Sequence, residues 1–143
     1  MKYRINFLRE LKFELMFHGV EPLTREDVVL QTSFRESLNV DLKILEIFFH
    51  CLFGIKEGES IKQVVHSDII IGFEFEELPE NEEERNDVLM NLFPNLLGIT
   101  ISSARGVIYS RTKGDPINEY VLPIINPTKI MEERFQKKSF LKV

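Results

Sequence analysis

Leu11, Phe13, Leu15 and Phe17 alternate with Lys12, Glu14, Met16 and His18. A period of two places one set on the buried face of a strand. Gly19 and Pro22 punctuate its end. Thr24 to Asp27 fits a short capped helical turn, the hydroxyl at 24 accepting the amide at 27, and fits an irregular crossover equally well. From Phe34 the even positions Leu38, Val40, Leu42 and Ile44 are apolar, with Glu36 the exception. From Leu42 to Phe53 both parities are apolar. Leu45, Ile47, Phe49, Cys51 and Phe53 form one face; Leu42, Ile44, Phe48 and Leu52 form the other, with Glu46 and His50 among them. A strand of a one-sided sheet carries only one apolar face. The second face is therefore expected to lie under a helix, another subunit or a ligand. Gly54 to Ser60 reads as a turn. Ile61 to Phe75 then alternates cleanly and ends at Leu78-Pro79.

Residues 76–87 hold seven acidic side chains against Arg85. They read as a solvated connector whose charges favour the N-terminus of the next helix. After Phe93-Pro94 the period becomes helical, and the pattern predicts a helix over about 94–113. Leu97, Ile101, Ala104 and Ile108 form its apolar stripe. Gly98, Ser102 and Gly106 form a second stripe with almost no side-chain bulk. Glycine within a helix costs about 0.5–1 kcal/mol relative to alanine. The favoured reason for this stripe is close approach of another backbone. Lys113-Gly114-Asp115-Pro116 ends the helix, and Tyr120 to Ile125 reads as extended. Asn126-Pro127 opens a last helix to about Lys138, with Asn as cap and Pro in the first turn. Its tail is basic: Lys129, Arg134, Lys137, Lys138 and Lys142.

The chain has 143 residues, one domain's worth, with strands over about 11–77 and the two helices after them. A hydrophobic fraction of 43% and a charged fraction of 29% exclude disorder. The net charge of −5 argues against nucleic acid as a partner, although residues 76–87 alone account for it. Cys51 is the only cysteine, which fits a reducing compartment. The N-terminal segment has no signal-peptide apolar core, and the most apolar stretch, Ile44 to Ile55, is far shorter than a membrane span. A cytoplasmic protein without membrane insertion is expected. Twelve phenylalanines beside no tryptophan change the picture most. Nine lie between Phe7 and Phe75, more than one face of a small sheet needs, and they point to surplus apolar surface.

No catalytic constellation emerges. Cys51 lies in a dense apolar run and reads as core rather than as a reactive thiolate. His18, His50 and His66 share the even parity of three strands. They lack ligand spacing such as His-x-x-x-His and read as separate polar-face residues rather than a metal site. Gly54-Ile-Lys-Glu-Gly58 lacks the Lys-Ser/Thr ending of a phosphate loop, and there is no Gly-x-Ser-x-Gly elbow. A binding protein without cofactor is expected rather than an enzyme.

The order of strands, acidic connector, long helix, extended link and terminal helix resembles the SecB family of preprotein chaperones. The residues that carry the likeness are Leu92-Phe93-Pro94, Ile101-Ser102-Ser103 and Leu122-Pro123-Ile124-Ile125-Asn126, with Ile61 to Phe75 as the family's fourth strand. It spans roughly residues 11 to 138. It implies an α+β fold, a four-stranded antiparallel sheet followed by two helices packed on one face. It implies a homotetramer, a dimer of dimers whose long helices meet through Gly98, Ser102 and Gly106. It implies an ATP-independent holdase, possible in protein export, that grips unfolded polypeptide in an apolar groove. Val29, Leu30, Phe34, Leu38, Phe93, Leu96, Leu97 and Ile101 are the expected groove residues. The chain departs from the family pattern at Ile124 and Pro127. It also departs at Lys62-Gln63-Val64, where the export chaperones carry part of an acidic surface for the SecA motor. That departure favours the alternative, a dedicated binder of one partner such as the antitoxin of a toxin–antitoxin system.

Overall fold

The period-two segments pair into one antiparallel sheet. Its strands are β1 (Tyr3–Leu15), β2 (Val28–Asn39), β3 (Ile44–Glu57) and β4 (Ser60–Phe75). Their spatial order is β1-β4-β3-β2, so β2, β3 and β4 form successive hairpins and β1 crosses to the far edge. Helices α1 (Glu82–Arg111), α2 (Asn118–Ile124) and α3 (Pro127–Phe135) follow. This is a computed structural model, and it describes residues 1–135. The α+β architecture matches expectation, with three helices in place of two.

Each hairpin has a local cause. At the β2–β3 turn, Asn39 accepts the amide of Leu42 at 3.0 Å and Lys43 takes a left-handed φ of 57°. At the β3–β4 turn Gly58 takes φ 64°, a conformation that costs glycine nothing. Before β2, the Asp27 carboxylate accepts the Thr24 amide at 3.0 Å and closes a single 3-10 turn over Arg25–Asp27.

α1 lies over β3 and β4. Its Phe93, Leu96, Leu97, Ile101, Ala104 and Ile108 form one apolar cluster with the odd positions of β3, including Leu45, Ile47, Phe49 and Phe53, and of β4, including Ile69, Ile71 and Phe73. Cys51 is fully buried in this cluster, and burial pushes its thiol up to about 12. It is a core residue, as expected. None of the described helices is long and apolar enough to cross a membrane.

Three segments differ from the sequence expectation. β1 begins at Tyr3 rather than near residue 11, because register shifts at Ile5/Phe7 and Glu10/Lys12 break its alternation. α1 begins at Glu82 rather than 94, so half of the acidic connector is helix. Asn81 caps it, accepting the Glu84 amide at 3.0 Å, and Glu82, Glu83 and Glu84 occupy the first turn, where the helix dipole favours anions. Pro94 therefore sits inside α1 and deprives it of one backbone hydrogen bond. Residues 118–124 are helical rather than extended. Ile117, Val121 and Ile125, spaced by four, are all buried, and the Asn118 side-chain Nδ2 donates to the Tyr109 carbonyl at 2.7 Å. α3 starts as expected, with Asn126 accepting the Lys129 amide at 3.1 Å. Its expected end at Lys138, and the basic Lys137, Lys138 and Lys142, lie outside the described residues.

Candidate functional site

The sheet is wider than the helix that covers it. Beyond α1 on one side, β2 turns Val28, Leu30, Phe34 and Leu38 towards the helical layer, all half-buried and packed against the core margin. Phe93 of α1 borders this flank, its ring centroid 5.7 Å from that of Phe34. Beyond α1 on the other side, β1 exposes Ile5 and Leu8 at 49% and 43%. These pair across the sheet with the buried Phe73 and Ile71 and so share the helix-facing side. Arg111 fastens α1 to this edge through Glu10, 2.8 Å away. The guanidinium holds the Glu10 carboxyl below the ordinary glutamate range.

The eight expected groove residues therefore divide. Leu30, Phe34 and Leu38 line the β2 flank and Phe93 borders it. Leu96, Leu97 and Ile101 are fully buried between helix and sheet. Val29 points to the opposite face, in register with Gly54. Sequence reasoning passed over Leu89 and Leu92, half-buried on α1, because it started the helix after them. Leu89 lies four residues before Phe93, and that spacing was the available signal.

The small-residue stripe also divides. A Cβ at Gly98 would lie 3.2 Å from the Met131 sulfur of α3, so the close neighbour there belongs to the same chain. Ser102 and Gly106 are exposed, and nothing lies within 4 Å of a Cβ built at Gly106.

The second face of the sheet, expected to lie under a helix, another subunit or a ligand, is open to solvent within this chain. Its residues are half-exposed along β3, including Ile44, Phe48 and Leu52, so none of the described helices covers them. Arginines from the edge strands screen its rings instead. The guanidinium of Arg35 lies 4.4 Å from the Phe48 centroid and that of Arg9 lies 5.3 Å from the Phe7 centroid. Such contacts are worth about 0.5–1 kcal/mol each at exposed sites. At Gly72 of β4 a Cβ would overlap the Phe7 ring, which lies flat across the strand there.

In the middle of this face three polar side chains converge. His50 of β3 stands opposite Asp68 of β4, and its Nδ1 lies 2.6 Å from the Asp68 carboxylate. His66, two residues along β4, places Nε2 3.2 Å from both oxygens of that carboxylate. The two imidazoles meet edge to face at 4.7 Å. The expectation of isolated histidines fails for this pair. His18, beyond the end of β1, is exposed and takes no part. Asp68 went unnoticed because the β3–β4 register, which brings it opposite His50, is set by the bulge at Phe53/Gly54.

No family model and no curated protein matches the chain. Among solved structures, the chain is similar to the Mycobacterium tuberculosis Rv1957 SecB-like chaperone in complex with a ChAD peptide from the Rv1956 HigA1 antitoxin. The identity is 13% and the TM-score 0.39, over 70% of this chain and 79% of that one.

Proposed function

We propose that this protein is an ATP-independent holdase that binds unfolded polypeptide along the β2 flank. One observation carries the reading: α1 covers β3 and β4 and leaves Leu30, Phe34 and Leu38, with Thr32 and Glu36 between them, half-buried at an edge strand beside Phe93. An extended client can pair with a sheet edge through its backbone while its alternate side chains enter apolar niches. That mode tolerates many sequences, as a holdase must. The motifs at Leu92-Phe93-Pro94 and Leu122 to Asn126 support the same reading by their resemblance to SecB. Light scattering of an aggregating client tests it. Stoichiometric protein is expected to slow aggregation without ATP; an unchanged aggregation rate overturns the reading.

The second reading is a dedicated binder of one partner such as an antitoxin. Lys62 of β4 favours it: the ammonium sits 4.3 Å from the centre of the Phe17 ring and 3.9 Å from the Glu57 carboxylate, at the stretch where the export chaperones carry part of an acidic surface for SecA. Recovery of SecA in a pull-down with this protein would remove the dedicated-partner reading and support an export role.

We also propose assembly as a homotetramer through the exposed Ser102 and Gly106 of α1, with Ile5 and Leu8 exposed on the helix-facing side of β1. Gly106→Leu separates an interface from a folding effect. Nothing lies within 4 Å of a Cβ built there, and loss of a helical glycine favours the helix by about 0.5–1 kcal/mol. The variant is expected to melt no lower than the parent and to shift from tetramer to dimer by light scattering. An unchanged tetramer places the interface elsewhere.

A further inference from the structure

We propose that His50, His66 and Asp68 form a binding site for a zinc-class divalent metal ion on the open face of the sheet. The three donors come from two adjacent central strands, the most constrained part of the fold. One ligand atom from each of the three lies within 4.8 Å of the other two. In tetrahedral zinc coordination, bonds of about 2.0–2.2 Å set neighbouring donors roughly 3.3 Å apart. The separation of His66 Nε2 from the Asp68 oxygens, 3.2 Å, already has that value. The hydrogen-bonded pair of His50 Nδ1 and Asp68, at 2.6 Å, has only to open slightly as the metal replaces the shared proton.

The chemistry of the donor set agrees. Two imidazoles and one carboxylate suit zinc and its neighbours in the first transition row, and disfavour magnesium and calcium, which prefer oxygen throughout. The side chains of His50, His66 and Asp68 are 30%, 20% and 16% exposed, which leaves an entry path yet removes most of the competing water. No lysine or arginine pairs with Asp68 among the described residues. Lys12, its neighbour across the sheet in β1, is engaged with Glu14 at 3.5 Å. Phe48, Leu52 and Ile70 supply an apolar surround on the same face, which lowers the local dielectric and strengthens ligation. Cys51 is not part of the set, because it projects into the core on the opposite side. Three protein ligands leave a fourth position for water, facing solvent.

Titration calorimetry of the chelator-treated full chain with Zn²⁺ is the test. Saturable binding at about one equivalent, undiminished by excess Mg²⁺, is expected. His50→Gln and His66→Gln are each expected to weaken it by about tenfold or more, and His18→Gln to leave it unchanged. Because a variant can fail to fold, a second measurement uses the unaltered protein. Zn²⁺ is expected to protect His50 and His66, but not His18, from acylation by diethyl pyrocarbonate, read by peptide mass. Absence of saturable binding, affinity unchanged in the His50 and His66 variants, or equal acylation of all three histidines with and without Zn²⁺ overturns the proposal. Holdase activity does not enter either readout, so the site stands or falls independently of the function proposed above.

Discussion

Replacing Phe73 with alanine is expected to lower the free energy of unfolding by about 3–5 kcal/mol. The ring is completely buried in β4. It meets Tyr3 of β1 edge to face at 6.1 Å and pairs across the sheet with Leu45 of β3. Its loss leaves a void at the junction of three strands beneath α1, where neither a rigid sheet nor a packed helix collapses readily to fill it. A domain of this size has roughly 5–15 kcal/mol of stability in total, so the change removes a large share of it. Urea unfolding of parent and variant measures the difference through the midpoint at constant slope. A loss below about 1 kcal/mol would mean that the centre of the sheet is not the core described above.

The second large effect is functional. Leu30→Asp combined with Leu38→Asp is expected to abolish protection of an aggregating client. Both side chains face the helical layer from an edge strand and are half-buried. A carboxylate there can reach water, which limits the folding cost to about 1–2 kcal/mol per site. The same charge lining an apolar groove must be desolvated whenever a client binds. Val29→Asp is the matched control. It is the residue next to Leu30 on the same strand but projects from the opposite face, and is expected to keep protection intact. Protection retained by the Leu30/Leu38 variant, with its native circular dichroism, would place client binding elsewhere.

The contrast between these two predictions reflects what the sequence could and could not disclose. β4 was legible because it alternates over most of its length and a period of two can be read directly, and β3 because its continuous apolar run is bounded by turn residues. The start of β1 was not, since two bulges shift its parity and scatter Ile5, Phe7 and Leu8 between faces. The start of α1 was hidden because Pro94 looks like a helix opening. The real cap, Asn81, lies inside an acidic run that resembles a linker. α2 reads as an extended link in the sequence although Ile117, Val121 and Ile125 carry a helical spacing; Pro123 within it argues the other way.

The candidate surfaces show the same division. Apolar character alone cannot separate Leu97 and Ile101, which are sealed in the core, from Leu30 and Leu38, which lie at its margin. That distinction depends on how far the helix extends across the sheet, a tertiary property. The histidine cluster depends on register. His50 and His66 share a parity in the sequence, but only pairing of His50 with Asp68 across β3 and β4 turns shared parity into contact. His18 shares it too and remains apart.

Site-specific photo-crosslinking tests the central claim most directly. A photoreactive side chain is placed at position 30 or 38 on the helix-facing flank of β2, and in a parallel series at position 48 or 70 on the open face. Each protein is then irradiated with an unfolded client peptide. The account predicts crosslinks from 30 and 38 and none above background from 48 and 70. Crosslinking concentrated at 48 and 70, or absent from 30 and 38, would contradict it.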